Sequence, residues 1–235
     1  MGNAAGVRRA DTPVPAFDLA ENIARYITEE FERVRANKEQ DYLVLDQVLR
    51  MKPLREIPIS FTHLGTLFVL DSDRDGRISL NELFAFAELF GKRQKLYKSH
   101  EYEMQMRAYC TLQMWKVVSC PGGMDSLVKW LCDLFSQCLP VEHFATHPNE
   151  VFVNRDVIKT VHEIMNVRAS YGIEFQDLFD LMQRVGEDMG TMTLDDEQLD
   201  DVVPLSVLRK FFHDFTVGFM QLMTELGFPP ALDVD

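Results

Sequence analysis

Glycine and proline are scarce, at 12 and 10 of 235 residues. A chain this poor in turn formers and helix breakers favours helices over a β fold of many short strands. Basic residues are also in short supply. Lys and Arg number 24 against 37 Asp and Glu, which leaves a net charge of −13. No basic stripe is available to release phosphate counterions, and this argues against nonspecific nucleic-acid binding. Such acidity suits a protein that binds cations or basic partners. No apolar run approaches the roughly 20 residues needed to span a bilayer. There are four cysteines (Cys110, Cys120, Cys132 and Cys138) and none forms a CxxC pair, so a zinc site is not expected. They sit in apolar, helical-looking segments and read as buried free thiols. With no secretory signal, the expected location is cytoplasmic. GxSxG, P-loop, GxGxxG and HExxH patterns are absent too, so nothing supports nucleophilic catalysis, phosphate cradling or dinucleotide binding. His143 and His147 are bracketed by Pro140 and Pro148 and form no catalytic set with His162. The chain is not expected to be an enzyme.

Apolar residues make up 46% of the chain, including 17 Phe and 12 Met, enough for one large core or two small ones. Their spacing is helical. Ile23, Ile27, Phe31 and Val34 share one helix face, with Asp18 and Glu21 placed as a capping box. A short helix is expected through "LDQVLRM", then a break between Pro53 and Pro58. Further helices are expected in "FTHLGTLFVL", "LNELFAFAELFGKR", "EYEMQMRAYCTLQMWKVV", "MDSLVKWLCDLFSQCL", "NRDVIKTVHEIMNVRASYG", "EFQDLFDLMQRV" and "PLSVLRKFFHDFTVGFMQLMTELGF". The "CPGG" breaker separates the fifth from the sixth of these nine. The fold class is all-α. Residues 1–16 read as a flexible arm and 17–92 as one unit. Residues 93–123 form a helical connector, 124–228 a second helical unit and 229–235 a tail. "MGNAAGVRR" makes Gly2 a candidate for N-myristoylation, although Gly6 stands where the motif prefers Ser or Thr. One acyl chain gives only reversible membrane association.

"DSDRDGRISLNE", Asp71 to Glu82, is the most informative stretch. A twelve-residue calcium loop takes oxygen ligands from positions 1, 3, 5, 7, 9 and 12 and needs glycine at position 6. Asp71, Asp73 and Asp75 fill positions 1, 3 and 5, and Gly76 is at position 6. Arg77 at position 7 contributes only its carbonyl. Ser79 at position 9 acts directly or through water, and Glu82 at position 12 can offer both oxygens. A hard, flexible oxygen set of this kind suits Ca²⁺. With apolar-faced helices on both sides, the stretch resembles the EF-hand family. The resemblance implies helix–loop–helix units joined in pairs through apolar position-8 residues.

Ile78 occupies that position here, followed by Leu83 and Phe86. Leu43 lies 35 residues before Ile78 and Val48 matches Leu83, so Ala36–Gln47 reads as a degenerate partner loop. Its Ala, Lys, Gln and Gln at positions 1, 3, 5 and 12 would not hold calcium. Downstream, Val203, Leu208 and Phe211 repeat the apolar spacing without the ligands, with Val153 as the partner position. The acidic stretch Glu187–Asp201 carries Glu187, Asp188, Asp195, Asp196, Glu197, Asp200 and Asp201 without ligand spacing and reads as a solvated loop.

Four modules and an "MGN" start resemble the calcineurin B-like and neuronal-calcium-sensor groups. The single intact loop and the long segment Lys92–Val118 between the halves depart from them. The resemblance implies one Ca²⁺ ion as cofactor and a sensor or adaptor role. The partner would be a protein, such as an amphipathic helix or a phosphatase, kinase or cytoskeletal subunit. Its affinity class would be about 10⁻⁷ to 10⁻⁵ M. Leu83, Phe84, Phe86, Met104, Met106 and Met114 are candidates for a core or a target groove. The alternative is a structural subunit in which Ca²⁺ only stabilises the fold.

Overall fold

The computed structural model describes residues 19–52, 61–94, 102–137, 144, 146–193 and 196–228. Gly2, the 1–16 arm, Asp18, Pro53, Pro58, Cys138, His143, Asp195 and the 229–235 tail lie outside the described residues. What is described is mostly helical, in an all-α arrangement. Helix α1 spans Glu21–Val34. Strand β1 (Tyr42–Leu43) and helix α2 (Leu45–Leu49) follow. Next come α3 (Leu64–Leu70), β2 (Ile78–Ser79) and α4 (Leu80–Gln94). Helix α5 (Tyr102–Val118) leads to α6 (Gly123–Ser136), β3 (Phe152–Asn154) and α7 (Arg155–Ile164). Helices α8 (Val167–Tyr171) and α9 (Phe175–Asp188), strand β4 (Val202–Pro204) and helix α10 (Leu205–Glu225) complete the order.

Among the described residues, the sequence helix, loop, short strand, helix occurs four times. The strands pair antiparallel in twos. Leu43 stands opposite Ile78, and Val153 opposite Val203. Each pair seals two loops at their base with residues buried from water.

Helix α1 forms because Ile27, Phe31 and Val34 recur at helical spacing, and all three are buried. It begins later than the capping box predicts. Ala20 is the N-cap, so Glu21 sits in the first turn, where its charge meets the helix dipole instead of reaching back to a cap. Glu30 is buried on the same helix. Its carboxylate accepts Arg33 Nε at 2.9 Å, Arg33 Nη2 at 2.6 Å and the Lys52 backbone N–H at 2.8 Å. The Arg33 hydrogen bonds hold the Glu30 carboxyl below its ordinary range. This cluster ties the chain after α2 to α1. Glu30→Ala leaves the Lys52 N–H without its partner. The expected cost is about 1–3 kcal/mol, measured by urea denaturation at pH 7.

Helix α5 lies along α3 and buries Tyr102, Met106, Cys110 and Met114. Met104 points the other way and is exposed. The Tyr102 hydroxyl donates to the Phe90 carbonyl at 3.0 Å and fixes α5 to α4. Helix α6 packs chiefly on α10, where Phe135 and Phe212 stack at 5.4 Å.

Three expectations require correction. The helix expected over 154–172 is two, because Asn166 adopts a left-handed conformation (φ 52°) between α7 and α8. Asn tolerates that region better than most residues. The acidic stretch is only partly a loop. Glu187 and Asp188 end α9, and Asp196 caps a 3-10 turn at Glu197–Leu199 by accepting the Gln198 N–H at 3.1 Å. Cys110 and Cys132 are buried free thiols, but Cys120 is exposed where the "CPGG" turn leaves α5.

Candidate functional site

The Asp71–Glu82 loop joins α3 to α4. Asp71 ends α3, with its N–H bonded to the Leu67 carbonyl at 2.9 Å. The chain then reverses through Arg74 (φ 60°) and Gly76 (φ 80°). The short polar residues brace the turn. Asp73 Oδ1 accepts the Asp75 N–H at 3.2 Å, and Asp75 Oδ1 accepts the Arg77 N–H at 2.8 Å.

Asp71 is fully buried. Its Oδ2 accepts the Gly76 N–H at 3.0 Å and the indole Nε1–H of Trp130 at 2.7 Å. Its Oδ1 makes no hydrogen bond among the described residues. Glu82 is also buried, in the first turn of α4. Its Oε1 accepts the Ser72 N–H at 2.8 Å and the Ser72 hydroxyl at 3.0 Å. Its Oε2 accepts the Ser79 N–H and hydroxyl, both at 2.9 Å.

The result is a cluster. Oxygens of Asp71, Asp73 and Glu82 lie within 4.8 Å of one another, the only metal-capable group among the described residues. Asp75 falls outside that cluster. Burial pushes the Asp71 carboxyl up to about 7. The Trp130 hydrogen bond opposes the shift, and the charges of Glu82 and Asp73 add to it. Burial also raises the Asp75 carboxyl.

Of the six residues expected to ligate an ion, three carboxylates therefore converge. The Arg77 guanidinium turns away, over the Tyr42 ring at 4.4 Å, leaving that position to its backbone. The Ser79 side chain faces Glu82. A buried carboxylate such as Asp71 carries an electrostatic cost unless a counter-charge meets it. The donor set is all oxygen, which fits a hard cation.

The sequence reading misses a second layer around the loop. Trp130 and Gln137 come from α6 and its C-cap, 59 and 60 residues from Asp71 and Arg77. Gln137 Oε1 accepts Arg77 Nε–H at 2.8 Å, and its Nε2 donates to the Asp75 carbonyl at 2.9 Å. A Cβ on Gly76 would lie 2.8–2.9 Å from the backbone of Asp133 and Leu134. Helix α6 thus lies directly against the loop. The one available signal is Trp130 itself, a large side chain with a polar N–H on an otherwise apolar helix face, which needs a buried acceptor. Nothing in the spacing says which acceptor.

The other candidate residues do not join the site. His147 Nδ1 lies 3.0 Å from the Thr146 hydroxyl, and His162 Nε2 lies 2.8 Å from the Ile173 carbonyl. Leu83, Phe86, Met106 and Met114 are buried in one continuous core. The open apolar cleft lies elsewhere, between α8, α9 and α10, lined by Tyr171, Leu181, Met182, Phe211 and Phe215. No helix among the described residues is long and apolar enough to cross a membrane. No family model, curated protein or solved structure matches the chain.

Proposed function

We propose that the 71–82 loop is an EF-hand that binds one Ca²⁺ ion, and that the protein is a calcium sensor or adaptor that docks a protein partner. The observation that carries this is Asp71. It is a fully buried carboxylate with one oxygen unpartnered, gathered with Asp73 and Glu82 within 4.8 Å. Asp75, Ser79 and the Arg77 carbonyl complete the oxygen set that the spacing provides.

The neighbouring loop supports the reading. Leu43 pairs with Ile78, the residue 35 positions on. Gln47, in the place of Glu82, accepts the Val44 N–H through Oε1 at 3.0 Å, as Glu82 accepts the Ser79 N–H. The same Gln47 oxygen accepts from Gln40 at 3.0 Å, so two neutral amides close this loop without an ion. The pairing of Val153 with Val203 favours a second, ion-free pair.

In a sensor, neutralising the cluster lets Glu82 carry α4 with it, and apolar surface opens for a target. The acidic chain suits a basic partner, such as an amphipathic helix of a phosphatase, kinase or cytoskeletal subunit. Acylated Gly2 would add reversible membrane association. The alternative is a scaffold that calcium only stiffens. It is favoured by Leu83, Phe86, Met106 and Met114 sharing a filled core beside the loop. Dye binding separates the two. A sensor gains apolar dye fluorescence on Ca²⁺ addition, and Glu82→Gln removes the gain. A rise in melting temperature with unchanged dye signal leaves only the scaffold. Calorimetric titration with Mg²⁺ present is expected to give one site at about 10⁻⁷ to 10⁻⁵ M. The absence of Ca²⁺ binding heat and of any Ca²⁺-dependent stabilisation rejects both.

A further inference from the structure

An EF-hand loop is ordinarily a self-contained unit, with ligands and supporting backbone drawn from one helix–loop–helix. Here part of the support comes from outside. Trp130 is 1% exposed, and its ring meets Phe68 of α3 edge-on at 5.1 Å. The indole N–H donates to Asp71 Oδ2 at 2.7 Å. With Oδ2 held by both Trp130 and Gly76, the carboxylate cannot rotate, and Oδ1 is the oxygen left for an ion. Seven residues further on, Gln137 clamps the far side of the loop through the Asp75 carbonyl and the Arg77 guanidinium. Between these two contacts the α6 backbone presses on Gly76.

The opposite side of α6 belongs to the C-terminal half, where Phe135 stacks on Phe212 of α10. The helix therefore touches the 71–82 loop on one side and α10 on the other. We propose that Trp130 is a positioning residue for the ion, which orients Asp71 from α6, so that loading of the loop and seating of α6 against it are coupled. The proposal rests on the calcium reading of the loop. Because coupling is reciprocal, whatever loosens α6 weakens the ion, and the ion tightens α6.

Trp130→Phe keeps an aromatic ring beside Phe68 and deletes the N–H. A hydrogen bond to a charged, buried acceptor is lost, so Ca²⁺ affinity is expected to fall about ten-fold by calorimetry, with the metal-free circular dichroism unchanged. Gln137→Ala, at the C-cap of α6, is expected to weaken Ca²⁺ in the same direction. The wild-type protein supplies a readout that needs no loss of packing. Its two indole N–H signals, assigned with Trp115→Phe, are followed by ¹⁵N NMR. The Trp130 signal is expected to move with the calorimetric midpoint. A Trp130→Phe affinity within about two-fold of wild type overturns the proposal, because two-fold is under 0.5 kcal/mol. So does a Trp130 signal unmoved at saturating Ca²⁺. If Trp130→Phe does not fold, the NMR titration decides alone. If wild type itself neither binds Ca²⁺ nor is stabilised by it, the calcium reading fails and the proposal falls with it. If wild type binds and the variant binds equally well, only the proposal falls.

Discussion

Asp71→Asn is expected to abolish the proposed calcium binding and, at pH 8, to raise the melting temperature of the metal-free protein. Both effects follow from one buried charge. Asp71 is fully buried, and burial pushes its carboxyl up to about 7 from the ordinary 3.8. A carboxyl raised in the folded state favours folding while it is protonated. Its contribution is complete below the unfolded value near 4 and is lost as pH rises through about 7. At pH 8 the metal-free wild type therefore holds an ionised Asp71 beside Glu82 and Asp73 at a cost. Asparagine removes the charge and keeps an oxygen to accept from Gly76 and Trp130. The gain is up to about 4 kcal/mol, roughly ten degrees in melting temperature for a chain of this size. It should be smaller at pH 5 and vanish only below about pH 4, where the carboxyl of the unfolded chain is protonated as well. Ca²⁺ acts in the opposite direction. At a hundred-fold excess over Kd, bound ion adds about 2.7 kcal/mol to wild type and nothing to the variant. Scanning calorimetry of both proteins at pH 5 and 8, with chelator and with Ca²⁺, reads all four corners. A metal-free variant less stable than wild type at pH 8 contradicts the argument.

The same loop shows which features a sequence can announce. Its ligand spacing is local, and a residue at i and one at i+2 cannot escape each other in a tight turn. Leu43 and Ile78 are legible as a pair because a repeat of fixed length places equivalent residues together. Helix faces are legible where apolar residues recur at 3 and 4, as in Ile27, Phe31 and Val34. What failed depends on contacts between distant segments or on a single backbone choice. Met104, Met106 and Met114 read alike, yet only the last two face the core, because α5 has one side against α3. Asn166 broke a helix that its neighbours' propensities would have continued. Trp130 and Gln137 reached the loop across a span of sequence that carries no periodic signal.

That long-range contact makes Gly76→Ala the most damaging single change expected in the loop. Two separate costs meet there. The φ of 80° is left-handed, and alanine in that region costs about 1–2 kcal/mol. The new methyl would also lie 2.8–2.9 Å from the carbon and oxygen of Asp133 and the nitrogen of Leu134. These are backbone atoms in the last turn of α6 and cannot swing aside as a side-chain tip would. Either the turn opens or α6 lifts, and both movements pull Trp130 and Gln137 off the loop. Gly172 is the matched control. Its φ is 69°, but no atom lies within 4 Å of the position a Cβ would take. Gly172→Ala is therefore expected to cost the backbone term alone, about 1–2 kcal/mol in urea denaturation. Gly76→Ala should lose about 1–3 kcal/mol more, the range for overpacking a filled site, and should weaken calcium as well. Equal losses in the two variants would mean that α6 yields freely at Gly76. A helix that yields there could not hold Asp71 in place.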